Sequence, residues 1–117
     1  MIRFKLKSTN NKHHNKPCVR DGMRFQSQAE AKYYDNLVHL KREGVVSFFL
    51  RQCPMHLTAG IKYVVDFIVF YSDGMVEFVD VKGQSTPMYL LKKKQVEHLY
   101  PIEIKEIHMW GNLWILC

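Results

Sequence analysis

The stretch from Tyr63 to Gly83, YVVDFIVFYSDGMVEFVDVKG, constrains the fold of this chain more than any other part of it. Two apolar runs, rich in β-branched and aromatic residues, flank a tight Asp73-Gly74 turn, which predicts two strands. Acidic residues interrupt both runs: Asp66 lies among apolar neighbours, and the second run ends in Asp80-Val81-Lys82. Since an unpaired charge is costly to bury, these carboxylates need a compensating group, and a divalent metal ion would supply it.

Composition restricts the class of protein. The chain has 117 residues, of which 47% are hydrophobic, as in an ordinary one-domain globular protein. Its net charge of +6 favours polyanionic partners. The three cysteines, Cys18, Cys53 and Cys117, form no CxxC pair, which predicts thiols in a reducing compartment rather than a disulfide framework or a zinc site. No apolar run reaches membrane-spanning length, so we expect a cytoplasmic protein without a membrane partner.

The pattern along the chain predicts an α/β domain with a mixed central β-sheet and flanking helices. Ser27 and Glu30 form a capping-box pattern at the start of a helix from Gln28 to Arg42. Thr86-Pro87 begins a second helix, which ends near Leu99. The expected strands are Val45–Leu50, the two strands of a hairpin within Ile61–Lys82, and Ile102–Ile107, which alternates apolar and charged residues. The strand-helix-strand connection at the end makes Ile102–Ile107 parallel to the strand before it.

We expect a single domain over residues 1–117. Its catalytic core covers residues 21–108, preceded by a basic arm or edge strand at 1–20 and followed by a C-terminal strand or tail at 109–117. The arm contains His13 and His14 near Cys18, but these positions do not have the usual spacing of a zinc site.

The geometry of the hairpin decides whether its acidic residues meet. Side chains alternate along a strand, so Asp80 and Lys82 share one face. Asp66 joins that face only if paired residue numbers have an even sum, which a three-residue loop at Ser72–Gly74 gives and a two-residue turn does not. We expect the even register. In the simpler alternative, Asp66 and Asp80 are partly exposed residues of an edge hairpin, and Lys82 is their surface ion-pair partner.

Glu30 is the third acidic candidate. It lies on the apolar side of the first predicted helix and points towards the sheet, although it could serve only in the capping box. Carboxylate oxygens suit Mg²⁺, with Mn²⁺ as a substitute, and the Val81 carbonyl is a further candidate ligand. Such an ion activates water and stabilises charge on a phosphate, while Lys82 would hold the attacking water or neutralise the phosphate. The set predicts metal-dependent cleavage of a phosphodiester.

These residues resemble the PD-(D/E)xK nuclease superfamily, whose core is a helix bearing an acid, a hairpin bearing Asp and (Asp/Glu)-x-Lys, and a following helix. A closer resemblance is to small phage proteins described as Holliday-junction-resolvase-like. The matching segments are Gly22–Ala31 (GMRFQSQAEA), Tyr63–Phe67 (YVVDF), Val79–Gly83 (VDVKG), Thr86-Pro87 and Lys92–Lys94.

The resemblance implies a restriction-endonuclease-like αβββαβ core in which Glu30, Asp66, Asp80 and Lys82 carry catalysis. It also implies a phage protein that acts as a homodimer in the host cytoplasm and makes paired nicks in four-way junctions or other branched DNA. Asp80 stands where many members of the superfamily have Glu, so the number of metal ions that the site binds, one or two, stays open. The alternatives are another DNA nuclease, such as a transposition or end-processing subunit, and a DNA-binding protein on this fold that does not cut.

Several basic and amide residues are candidates for contacts with the DNA backbone, which position a duplex and make binding salt-dependent. They are Arg51, Gln52, Lys62, Lys92, Lys93, Lys94 and Gln95, with Lys12, Lys16 and Arg20 of the N-terminal arm as a mobile addition. The alternative for the three consecutive lysines is an ordinary solvated helix face.

Overall fold

The structure is a computed structural model that describes residues 18–82, 85–110 and 113–116, with side chains described as far as residue 108. It is a mixed α/β fold. Its central elements follow one another in the predicted order, which is a helix, three strands, a helix and a strand. The elements are β1 (Cys18–Arg20), β2 (Met23–Phe25), α1 (Gln28–Arg42), β3 (Val46–His56), β4 (Lys62–Tyr71), β5 (Val76–Val81), α2 (Pro87–Leu99), β6 (Ile104–Trp110) and β7 (Leu113–Leu116).

Both predicted helices have the expected bounds, because both begin with strong local signals. The Ser27 hydroxyl accepts a hydrogen bond from the backbone N–H of Glu30 at 3.1 Å and caps α1. The Thr86 hydroxyl accepts one from the N–H of Tyr89 at 3.1 Å, and Pro87 occupies the first turn of α2.

The main sheet has five strands in the order β3-β4-β5-β6-β7. Strands β5 and β6 are parallel, as the crossover predicted, and the other neighbours are antiparallel. In the β4–β5 hairpin, Phe67 pairs with Val79 and Phe70 with Val76, which confirms the even register. The connection is the three-residue loop Ser72–Gly74, in which Gly74 has φ of 96°, a conformation that favours glycine.

Two of the predicted strands have wrong bounds. Strand β3 does not end at Leu50 but continues through Pro54 to His56, and proline is tolerated there because β3 is the edge strand of the sheet. Strand β6 runs from Ile104 to Trp110 rather than from Ile102 to Ile107. The short final strand expected near the C-terminus is present as β7, antiparallel to β6.

Part of the expected N-terminal arm is ordered structure. Strand β1 pairs with β2, and the guanidinium of Arg20 donates to both carboxylate oxygens of Asp35 on α1 at 3.0 and 3.1 Å. Arg20 is therefore part of the folded domain, in β1, rather than of an arm outside it. Lys12, Lys16, His13, His14 and Cys117 lie outside the described residues.

The two helices cover opposite faces of the sheet. Helix α1 packs Ala31, Tyr33 and Leu37 against Phe67 and Val79 in one hydrophobic cluster, here called the α1-side cluster. On the other face, Val96 of α2 belongs to a second cluster, the α2-side cluster, whose buried residues in the sheet are Tyr63, Val65, Ile68 and Ile104. Within the described part of the chain, no helix is long and apolar enough to cross a bilayer.

Candidate active site

The β4–β5 hairpin opens at its two aspartates. The last regular pair is Phe67 with Val79, and the next positions along the strands are Asp66 and Asp80. There, carboxylates accept the backbone hydrogen bonds: the N–H of Asp66 donates to Asp80 Oδ1 at 2.9 Å, and the N–H of Val81 donates to Asp66 Oδ2 at 3.0 Å. Both acids therefore stand in the gap where the two strands part.

Side-chain alternation switches at the same point in β4. Tyr63 and Val65 belong to the α2-side cluster, whereas Phe67 and Val69 belong to the α1-side cluster. A regular strand would place all four on one face, because their numbers differ by multiples of two. The expectation that Asp66 and Asp80 meet by sharing a face is therefore incorrect in its reason: they meet because the strands separate, within the register that was expected.

Glu30 joins this gap from α1 through Gln52. The Gln52 amide nitrogen donates to Glu30 Oε2 at 2.9 Å and to Asp66 Oδ1 at 3.3 Å, so the two carboxylates share one donor. Glu30 is only 5% exposed, and Arg51 Nη2 lies 3.8 Å from the same oxygen. The backbone N–H of Glu30 donates to the N-cap Ser27, while its carboxylate accepts from Gln52 beside Asp66, so Glu30 does more than take part in the cap.

Lys82 and Val81 complete the set at the end of β5. The Lys82 ammonium lies 4.2 Å from the centre of the Tyr89 ring. The Lys82 N–H donates to the Ile107 carbonyl on β6 at 2.9 Å, whereas the Val81 N–H points to Asp66 on β4. Because the N–H and C=O of one strand residue point to the same neighbour, the Val81 carbonyl also faces the gap.

The carboxylates of the gap are short of positive charge. Burial, together with the nearby charge of Asp66, raises the pKa of Glu30 from 4.5 to about 7. Burial also raises the pKa of Asp66 and of Asp80, although backbone hydrogen bonds and the charge of Lys82 oppose it. Added positive charge between these oxygens would relieve the cost of ionising them.

The donor set fits a hard cation in its chemistry. Among the described residues, no three carboxylate, imidazole or thiol groups already surround a common point in the way a metal site requires. Other groups occupy these oxygens: the Gln52 nitrogen lies between Glu30 and Asp66, and Asp80 accepts a hydrogen bond from the Tyr63 hydroxyl. Glu30, Asp66, Asp80 and the Val81 carbonyl are the oxygens that could hold Mg²⁺ or Mn²⁺.

Glu106 is a site residue that the sequence argument missed. It pairs with Asp80 across β5 and β6 and is only 8% exposed. Burial alone would raise the pKa of Glu106, but hydrogen bonds from Lys93 at 3.1 Å and Ser85 at 2.9 Å outweigh it and lower the pKa. A signal was present: Glu106 occupies the position where the alternation of Ile102 and Ile104 calls for another apolar residue.

Some of the candidate DNA-binding side chains make contacts within the protein, and others are exposed to solvent. Arg51 donates to the Arg24 carbonyl at 3.2 Å and lies 3.9 Å over the Phe25 ring, and Lys93 pairs with Glu106. Gln52 is exposed but bonded to the acids. Lys62, Lys94 and Gln95 are exposed, and Lys92 is half-buried. Lys94 and Gln95 line a groove on α2 that none of Glu30, Asp66, Asp80 and Lys82 lines.

Comparison with known proteins identifies a family. A family model described as "Protein of unknown function (DUF1064)" matches residues 10–111, so the chain belongs to this family. The match includes Glu30, Asp66, Asp80 and Lys82. No curated protein and no solved structure gives a significant match.

Proposed function

We propose that this protein is a Mg²⁺-dependent DNA endonuclease of the PD-(D/E)xK type that cuts branched DNA. The observation that carries the proposal is the opening of the β4–β5 hairpin, which sets Asp66 and Asp80 in one gap with Lys82 two residues beyond. Glu30 reaches the same gap from the preceding helix through Gln52. The αβββαβ element order supports a restriction-endonuclease-like core.

The carboxylates would bind the ion, and the lysine would act on the substrate. Glu30, Asp66, Asp80 and the Val81 carbonyl would hold Mg²⁺ or Mn²⁺. When bound, such an ion lowers the pKa of a water molecule and neutralises charge that develops on the scissile phosphate.

The Lys82 ammonium is held against the Tyr89 ring, at the edge of the gap where that phosphate would enter. It would neutralise a phosphate oxygen or orient the attacking water. Because Lys82 also lowers the pKa of Glu30, Asp66 and Asp80, it favours the ionised acids that cation binding requires.

The charge distribution supports DNA as the substrate. The net charge is +6, and Lys62, Lys92 and Lys94 keep ammonium groups at least partly open to solvent for phosphate contacts. Arg51 and Lys93 are bonded inside the protein, so we assign them to positioning the acids rather than to binding the duplex. A homodimer would place two gaps on the two strands of a four-way junction, which accounts for paired nicks.

Cleavage of a four-way junction, a flap and a linear duplex in Mg²⁺ tests the proposal. The wild type should make paired, symmetrical nicks in the junction, and Asp80→Asn should lower the rate by about a hundredfold or more because it removes an ionised oxygen from the gap. Asp35→Asn is the matched control, since Asp35 pairs with Arg20 at the surface of α1.

Other outcomes separate the alternatives. Cutting of linear ends without junction nicks would instead identify an end-processing or transposition nuclease. Tight binding of DNA with no cutting in either metal would identify a protein that binds DNA on this fold without cleaving it. Equal cleavage rates for Asp80→Asn and the wild type would show that the gap between β4 and β5 is not the catalytic site.

A further inference from the structure

Gln52 has an unusual backbone for a residue within a strand. It lies in the middle of β3 with φ of 51°, in the left-handed region, which costs a residue other than glycine on the order of 1 kcal/mol. Pairing with β4 continues on both sides of it, from Arg51 with Phe67 to Cys53 with Val65. Within β3 only Gln52 has this conformation, and it lies directly opposite Asp66.

The kink reverses the faces of β3 just where those of β4 reverse. Arg51 lies over Phe25 on the α1 side, whereas Cys53 packs with the α2-side cluster. A regular strand would place residues 51 and 53 on one face. The reversal directs the Gln52 side chain towards the gap while the rest of β3 stays paired with β4. The unfavourable backbone conformation of Gln52 therefore determines where its carboxamide lies.

The carboxamide nitrogen occupies the place of a positive charge. An amide nitrogen carries two hydrogens, and here one is directed to Glu30 and the other to Asp66, at 2.9 and 3.3 Å. Both hydrogen bonds lower the pKa of the acid that accepts them. A neutral group thus does part of what a cation between these oxygens would do, and it is exposed, so an ion from solvent can reach the same point.

We propose that Gln52 substitutes for the cation in the metal-free protein and becomes a ligand when the ion binds, by turning its carboxamide so that Oε1 replaces Nε2. The Gln52 N–H groups occupy Glu30 Oε2 and Asp66 Oδ1, so a cation that binds both of these oxygens from the same side displaces the N–H groups. Rotation about the last side-chain bond exchanges the nitrogen and the oxygen without moving the strand, and glutamine carbonyls are accepted ligands of hard cations. The inference rests on the proposed function, since it requires the cation site.

Binding of Mn²⁺ to metal-free protein, measured by titration calorimetry, tests this role without any cleavage assay. Gln52→Met keeps the size of the side chain but removes both the donor and the oxygen, so Mn²⁺ should bind about tenfold more weakly. Gln52→Lys places a permanent ammonium group at the site, so it should abolish Mn²⁺ binding and raise the Tm of the metal-free protein. Gln95→Met and Gln95→Lys, at the exposed glutamine of α2, are the matched controls and should bind as the wild type does.

The side-chain NH₂ resonances of Gln52 provide a second measurement. They are assigned by their loss in Gln52→Met, and saturating Mg²⁺ should shift them and speed their exchange with solvent, because the N–H groups leave the carboxylates. Unchanged resonances would contradict the rotation.

The results separate the failure of this inference from that of the proposed function. If Gln52→Met and Gln52→Lys bind Mn²⁺ as the wild type does while Asp80→Asn does not, the cation site stands and the role of Gln52 is refuted. If Gln52→Lys gains affinity for duplex DNA but keeps its Mn²⁺ affinity, Gln52 is a phosphate contact instead. If the wild type binds no Mn²⁺ at all, both proposals fail together.

Discussion

Replacement of Glu30 by glutamine should stabilise the metal-free protein at alkaline pH. Glu30 is buried and has a pKa raised from 4.5 to about 7. Its ionisation therefore costs at most about 3 kcal/mol more in the folded chain than in the unfolded chain. The introduced glutamine keeps an oxygen for the Gln52 amide and carries no charge, so Glu30→Gln removes this cost and retains the hydrogen bond.

The sign of the effect depends on pH. Between pH 4.5 and about 7, the folded chain binds more protons at Glu30 than the unfolded chain, so rising pH lowers the free energy of unfolding of the wild type. The variant lacks this contribution. The two proteins should be similarly stable at about pH 4 and below, and the variant should be more stable by up to about 3 kcal/mol at about pH 8. That difference corresponds to a Tm increase on the order of 10 °C for a chain of this size.

Urea unfolding at a series of pH values, in the presence of a chelator, measures this difference. Glu43→Gln, an exposed substitution at the C-terminal cap of the same helix, should follow the wild type throughout. Saturating Mg²⁺ should reverse the order, because the ion stabilises the folded wild type through ionised oxygens that the variant lacks. A variant that is destabilised equally at acidic and alkaline pH would refute the reasoning, since Glu30 would then act through packing rather than charge.

Substitutions at two further positions test the surroundings of Asp80. Tyr89→Leu should lower the cleavage rate severalfold by removing the ring beside the Lys82 ammonium, worth about 1 kcal/mol. Tyr89→Phe keeps that ring, so the cleavage rate should fall much less than in Tyr89→Leu, although loss of the hydroxyl removes an interaction with Asp80 that lowers the pKa of Asp80. Glu106→Gln should destabilise the protein by about 1–3 kcal/mol near neutral pH, because it weakens the contact with Lys93. This loss of stability should become smaller as acid protonates Glu106 in the wild type. A loss that urea unfolding shows to be independent of pH would contradict this.

The parts of the fold that follow from local chemistry were predictable from sequence. Ser27, Thr86 and Pro87 determine where the helices begin whatever surrounds them, and the predicted bounds match the structure. The register of the hairpin follows from the loop Ser72–Gly74, since loop length sets which residues pair. That register places Asp66 opposite Asp80, but the separation of the two strands at this pair does not follow from it.

The parts that depend on tertiary context were not predictable in the same way. Residues 51–54 read as a connection because they include a proline, yet they continue β3 because only one side of an edge strand needs its N–H groups. The reversal of faces at Gln52 and Asp66 needs a left-handed glutamine, which no propensity favours. The sequence shows Glu106 as an acidic residue at a position where the alternation predicts an apolar one. Its ion pair could not be predicted, because the partner Lys93 belongs to α2.

Among the described residues, five carboxylates with shifted pKa values fall into two groups with opposite pH dependence, and one of the groups forms the gap. Glu77 is half-buried and Glu106 is buried, and burial alone would raise their pKa values. Hydrogen bonds outweigh burial and lower both pKa values: Glu77 accepts from Lys105 and Tyr71, and Glu106 accepts from Lys93 and Ser85. Such acids stabilise the fold above their unfolded pKa, and this stabilisation is lost as pH falls.

Glu30, Asp66 and Asp80 behave in the reverse manner. Burial raises their pKa values, so each costs stability as pH rises and the acid ionises. A chain with 17 lysine and arginine residues has cations to spare, and it pairs Glu77 and Glu106 with two of them. Leaving three neighbouring acids without equal compensation is costly for a scaffold but suits a site in which an external cation completes the charge.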